Sequence, residues 1–122
     1  MIVAWVALAG GLGAVARFVL DGLVRTRVSA TFPVGTVIVN VTGSLLLGLV
    51  TGLALAHTVP NEIRLVVGTG FLGGYTTFST ASFETVRLVE RRRAGLALLN
   101  AVGTLVTTVV VAALGLWLGL RA

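Results

Sequence analysis

A chain of 122 residues with nine arginines, no lysine and four acids carries a net charge of +5 and has room for one domain, residues 1–122. Charged residues make up 11% and the apolar set 57%, against roughly 25% charged in a water-soluble protein. A body this small must expose much of its surface, and this one lacks the polar residues to cover it. The mean hydropathy of +1.07 points to lipid as the solvent. A nucleic-acid binder could share the charge but not the apolarity. The absence of cysteine excludes disulfides, zinc–thiolate sites and iron–sulfur clusters.

The first apolar run covers residues 2–24, with Arg17 and Asp21 near its end. No basic stretch precedes Ile2 and the run is long, so a membrane span is expected here and not a cleaved leader. A turn is predicted over residues 25–33. The second run, 35–56, ends at His57, Thr58, Val59 and Pro60, where proline cannot continue a helix. The third run covers 62–89 and is closed by Glu90, Arg91, Arg92 and Arg93. The fourth covers 94–120. Each run is long enough for a helix to cross hydrocarbon, which takes roughly 20 residues. None alternates as a barrel strand would. The expected fold is an all-α membrane protein with four transmembrane helices.

With four spans, six arginines (25, 27, 87, 91, 92 and 93) fall on one side and two (64 and 121) on the other. Excess arginine marks the cytoplasmic face, which places both termini outside. If Arg87 lies within its span the count falls to five.

Polar groups inside a membrane are costly and line a cavity or an interface. Gly73-Gly74 followed by Tyr75, Thr76 and Thr77 falls at the centre of the third run. Paired glycines weaken a helix, and hydroxyls offer the backbone other partners. A helix broken at mid-depth is expected, with free carbonyls from its first half and free N–H groups from its second, ends that hold ions in transporters. A continuous helix packed through its small residues is the alternative. Asn40 serves equally as a donor to a ligand or as a bond between helices. Ser44, Gly48 and Gly52 recur every four residues and mark a packing face. Asn100, Thr104 and Thr108 form one polar stripe on the fourth helix, with Gly103 and Thr107 beside it. Arg17 either snorkels to an interface or sets a positive charge in a watery vestibule. A G-x-G-x-x-A match at positions 11–16 has no βαβ context and no acid about 20 residues on, so it does not signal a dinucleotide site. His57 reads as a loop residue. No acid–base pair, nucleophile or metal cluster is visible, so no enzyme is expected. Buried donors and hydroxyls without a deep carboxylate favour an anion; Glu84 is the nearest acid.

Three motifs carry a resemblance. Gly-Gly-Leu-Gly-Ala-x-x-Arg at positions 10–17, Gly-Thr-x-x-Val-Asn-x-x-Gly-Ser at 35–44 and Gly-Phe-Leu-Gly-Gly-Tyr-Thr-Thr-Phe-Ser-Thr at 70–80 resemble the CrcB/Fluc fluoride channels over nearly the whole chain. The resemblance implies passive fluoride export through the cell membrane by an antiparallel dimer with two pores. It implies a structural sodium ion at the dimer centre, held by the backbone carbonyls of Gly73 and Thr76 of each subunit. It also implies Asn40 along the pore and a ring edge of Phe78 facing fluoride, with Ser79 and Thr80 following. The Asn100–Thr104–Thr108 stripe resembles the family's polar track, and Arg17 would stand at the vestibule. Expected partners are fluoride, the lipid bilayer and a second subunit, with no nucleic acid.

Two departures stand out. Ala81 occupies the place of the family's second phenylalanine, and Asn100 stands where tyrosine is more common. Phe83 is five residues from Phe78, roughly 140° round the helix, and cannot replace the missing ring. Together with the one-sided arginines, this leads to the expectation of a heterodimer whose partner inserts oppositely and supplies the missing phenylalanine. A non-conducting subunit is one rival. A small four-span drug/proton antiporter is another, but it needs a deep acid in its first span, and residues 2–16 contain none.

Overall fold

A computed structural model of the chain describes residues 1–28 and 32–122. The described residues are helical, with no strand among them. Helix α1 is Ile2–Arg27 and α2 is Val34–Leu55. Helix α3 covers residues 61–75 and α4 is Phe78–Glu90. Helix α5 is Ala94–Arg121.

Three of these, α1, α2 and α5, are long and apolar enough to cross a membrane. The third apolar run divides into α3 and α4, and neither half reaches the length of a full crossing. Helix α1 runs on through Arg25 and Arg27, beyond the end expected from hydropathy. These arginines sit in its last turn, where a positive charge is favoured by the helix dipole. The turn expected over 25–33 thus shrinks, and its residues 29–31 lie outside the described residues. His57 and Arg92 both adopt a left-handed backbone, φ 60° and 59°, and turn the chain after α2 and α4.

Backbones approach closely where glycines face them. A methyl group on Gly48 or Gly52 would overlap the backbone of α5 at Ala112 and Leu116. One on Gly115 or Gly119 would overlap α2 at Leu45 and Leu49. This small-residue seam joins α2 to α5, as expected where lipid removes the hydrophobic incentive and van der Waals contact must hold helices together. Helix α1 packs on α3 the same way: Gly13 faces the carbonyl of Phe71, and Gly74 faces that of Gly10. Val39, Leu72 and Tyr75 form the small core between the two pairs, with Val39 only 1% exposed. The outer faces keep large apolar side chains bare, among them Leu12, Phe18, Leu105 and Val109.

Two stretches widen from α-helical to i→i+5 bonding, Arg64–Leu72 in α3 and Leu99–Gly103 in α5. Such turns are rare and recur at functional sites. The second one carries Asn100.

Candidate functional site

Helix geometry lapses between α3 and α4. Gly73 keeps helical angles (φ −62°, ψ −40°), and the helix persists to Tyr75. Thr76 and Thr77 are extended, with ψ of 158° and 122°. The paired glycines are therefore not where the chain departs from the helix. They let α3 lie against α1, and the departure falls on the two threonines that follow.

Side chains hold this segment from both ends. Thr76 Oγ1 donates to the carbonyl of Leu72 at 2.9 Å and caps α3. Thr77 Oγ1 accepts from the N–H of Thr80 at 3.1 Å and caps α4, a preferred use of a hydroxyl at a helix start. Asn40 reaches across from α2. Its Nδ2 donates to Thr77 O at 2.8 Å, and its Oδ1 accepts from Thr77 N–H at 2.8 Å. The side-chain amide thus replaces a neighbouring peptide, satisfying both polar groups of Thr77. A primary amide has two N–H groups, so one remains.

In a continuing helix the N–H of Thr77 would bond Gly73 O, and that of Thr80 would bond Thr76 O. Both N–H groups are given to side chains instead. The carbonyls of Gly73 and Thr76 are left without their helical partners, whereas that of Gly74 accepts from Arg17 Nε at 3.3 Å. Arg17 is half-buried in this position, a positive charge at the carbonyl end of α3.

Nearby, Tyr75 hydroxyl and Thr42 Oγ1 lie 3.1 Å apart. Thr42 gives its single hydrogen to Ile38 O at 2.7 Å, so the tyrosine is the donor. The Tyr75 ring stacks on Phe71, centroids 6.1 Å apart.

On the other side of the segment lies a groove of ≈ 650 Å³ between α2, α4 and α5. It gathers Asn40, Phe78, Asn100, Thr104 and Thr108, five of the residues singled out in the sequence. It also gathers Ala81, next along the Phe78 face, the extended Thr76 and Thr77, Ser44, which spacing had assigned to a packing face, and two hydroxyls that spacing did not mark, Ser82 and Thr85. Ser44 shares its stripe with the packing glycines Gly48 and Gly52, which hid its different neighbour. No charged side chain lines the groove. Ser79 and Thr80 do not line it. Ser79 Oγ is 3.3 Å from Thr77 Oγ1, and Thr80 Oγ1 accepts from Thr77 Oγ1 at 3.2 Å. Phe78 is 87% exposed and stands open on one subunit. Phe83 is outside the groove and lies against Arg87, 5.9 Å from its guanidinium.

Asn100 is 2% exposed. Its Nδ2 donates to Thr85 Oγ1 at 2.8 Å, and Thr85 donates onward to Ala81 O at 2.9 Å. The polar track on α5 is thereby tied to the face of α4 that carries Phe78 and Ala81. Gly103 and Thr107, the neighbouring stripe, do not line the groove.

Helices bare and apolar outside, with an uncharged groove inside in which amides and hydroxyls stand among apolar side chains, define a multi-pass membrane protein built to pass or hold a small polar solute. The CrcB-like protein family (Camphor Resistance, CrcB) matches residues 4–119. The chain belongs to this family. It is 59% identical over 119 residues to the "Fluoride-specific ion channel FluC 1" of Leifsonia xyli subsp. xyli, covering 98% of the chain and 87% of that protein. It is 49% identical over 122 residues to "Fluoride-specific ion channel FluC 2" of Cutibacterium acnes, covering 99% of each. A third relative, "Fluoride-specific ion channel FluC" of Syntrophotalea carbinolica, is 44% identical over 119 residues, 97% of each chain.

Proposed function

We propose that this chain is a subunit of a fluoride-selective channel in the cell membrane, conducting passively and relieving the cell of fluoride; it is not an enzyme. The observation that carries this is the groove: donors and hydroxyls converge on it without a basic or acidic side chain. Fluoride is small and strongly hydrated, so entry requires groups that replace lost water. The second N–H of Asn40 and the hydroxyls of Ser82 and Thr104 supply them. The edge of Phe78 adds the positive rim of its ring quadrupole. Without a fixed charge on the walls, the ion is held weakly enough to leave. Arg17 adds a positive charge beside the interruption, at Gly74 O, which favours an anion nearby.

In this proposal α3 and α4 together make one membrane crossing, the third of four, interrupted at mid-depth by Thr76 and Thr77. Two subunits pair antiparallel. Pairing closes the groove, which one subunit leaves open at Phe78. The carbonyls of Gly73 and Thr76 suit a sodium ion at the centre of such a dimer: they are neutral oxygen donors released from helical bonding, the kind of group that holds sodium at unwound helices. The ion would be structural, neutralising carbonyl dipoles that the interrupted helix leaves unpaired.

Ala81 and the one-sided arginines favour a heterodimer over a homodimer. Ala81 stands in the groove one turn past Phe78 and offers no ring. Arginines concentrated at one end fix a single insertion direction, whereas a homodimer of antiparallel subunits needs both.

The experiment is fluoride efflux from liposomes holding the purified chain, followed with a fluoride electrode, with and without excess chloride. Fast, chloride-resistant flux supports the channel. Flux only when an oppositely oriented homologue is added supports the heterodimer, and no flux in either case leaves a non-conducting membrane subunit. Full flux from the chain alone, with protease-accessible termini on both faces, rules out the heterodimer.

A further inference from the structure

A second cavity lies at the arginine-rich end, away from the groove. It measures ≈ 230 Å³ and sits between the end of α1, the start of α2 and the end of α4, with Asp21, Arg25, Gly35, Glu84, Arg87 and Arg91 on its walls. That is below the ~300–1,000 Å³ of pockets that take whole drug-sized molecules. It is room for a few waters, or for one small polar headgroup.

Part of its charge is already spent. Arg25 Nε is 3.1 Å from Asp21 Oδ2, and Asp21 rests against the first turn of α2, where Gly35 leaves space for it. Arg25 also approaches Glu84 Oε2 at 3.9 Å, a loose contact. Three groups are left over. Glu84 Oε1 is buried and has no hydrogen-bond partner among the described residues. Arg87 and Arg91 have no acid within ion-pair distance among the described residues. They are four residues apart, Arg87 in the last turn of α4 and Arg91 at its C-cap, a spacing at which like charges face and repel each other. An anion placed between them removes that cost and takes charge-assisted bonds from two guanidinium forks. Glu84, one turn earlier on the same face, asks for the opposite: an N–H or O–H donor.

We propose that this cavity binds a phosphate ester bearing a donor group, with the phosphate on Arg87 and Arg91 and the ammonium or hydroxyl on Glu84. The chemistry is that of an ethanolamine or glycerol phosphate. Its source is a phospholipid headgroup, because the cavity lies at the end of the apolar helices where the arginines mark the cytoplasmic interface. A free phosphate ester is the other source. The site is separate from the groove and does not depend on what the groove conducts.

The test uses the purified full chain in its assembled form, stripped of lipid in detergent. Binding is read by native mass spectrometry for phosphatidylethanolamine, phosphatidylglycerol, phosphatidylcholine, phosphoethanolamine and inorganic phosphate. Ethanolamine and glycerol lipids are expected to bind on the order of tenfold more tightly than choline lipid, whose quaternary nitrogen has no N–H. Glu84→Gln is expected to erase that preference. Arg87→Gln with Arg91→Gln weakens all of them. Both arginines are exposed, so this variant carries the test even if Glu84→Gln fails to assemble. Equal binding of phosphoethanolamine assigns the same chemistry to a soluble ester. Binding that ignores the arginine changes, or no binding by any of the five, overturns the proposal.

Discussion

Asn40 and Thr77 exchange two hydrogen bonds of 2.8 Å across the α2–α4 boundary, side-chain amide to backbone peptide. One residue therefore fixes the interruption between α3 and α4 and still keeps one N–H that these two bonds do not use. Substitution tests both tasks at once. Asn40→Asp keeps the acceptor for Thr77 N–H but sets a carboxylate against Thr77 O. Asn40→Leu removes both bonds. Each unmade bond to a buried peptide group costs about 1–3 kcal/mol. Both variants should melt well below the parent in detergent and lose fluoride efflux by a hundredfold or more, roughly the 2–3 kcal/mol of one lost charge-facing donor. Parent-like flux from Asn40→Asp would remove Asn40 from the conduction path.

Phe78 has no partner of its own in one subunit and contributes little to its stability. Phe78→Ile keeps the bulk and removes the ring edge. Fluoride flux should fall by at least tenfold while the melting temperature stays within a few degrees, since exposed substitutions usually change stability by less than ~0.5 kcal/mol. An electrode assay and a thermal melt on the same preparation check both halves.

Hydropathy made most of this fold legible. The apolar runs located α1, α2 and α5, and the hydroxyl-rich segment located the junction of α3 with α4 to within three residues. The paired glycines, expected to weaken the helix there, stay helical for a physical reason. Glycine is poor in an isolated helix, yet in a membrane bundle it lets backbones touch, and Gly74 does so against Gly10. The stripe of Asn100, Thr104 and Thr108 was readable because side-chain spacing reveals a helix face. Ser82 and Thr85 were not, because their importance comes from the partner across the groove. The bond from Asn100 to Thr85 joins residues fifteen apart in sequence, and no local pattern encodes it. Asn40's double bond to Thr77 spans 37 positions and was equally hidden.

The Asn100–Thr85 bond is open to a double-mutant cycle. Asn100 is almost fully enclosed, so Asn100→Leu strands Thr85 less than Thr85→Val strands the amide, which then loses its 2.8 Å acceptor. Thr85→Val should cost about 1–3 kcal/mol. The pair together should cost less than the sum by about 0.5–1.5 kcal/mol, measured by denaturation. Strict additivity would mean that the two side chains do not interact.

The glycine seam between α2 and α5 makes a sharper contrast. A methyl on Gly48 or Gly115 meets backbone of the facing helix, which cannot move aside as a side chain can, whereas one on Gly11 or Gly95 meets nothing. Overpacking of this kind costs typically 1–3 kcal/mol. Gly115→Ala and Gly48→Ala should therefore lower the melting temperature by several degrees and, by pushing α5 from α2, widen the groove whose far wall carries Thr104 and Thr108. Gly11→Ala, in the middle of α1, replaces a poor helix former with the best and should leave stability unchanged or raise it by up to ~1 kcal/mol. If all three variants melt together, α2 and α5 are not held by close backbone contact, and the wall of the groove must be fixed by something else.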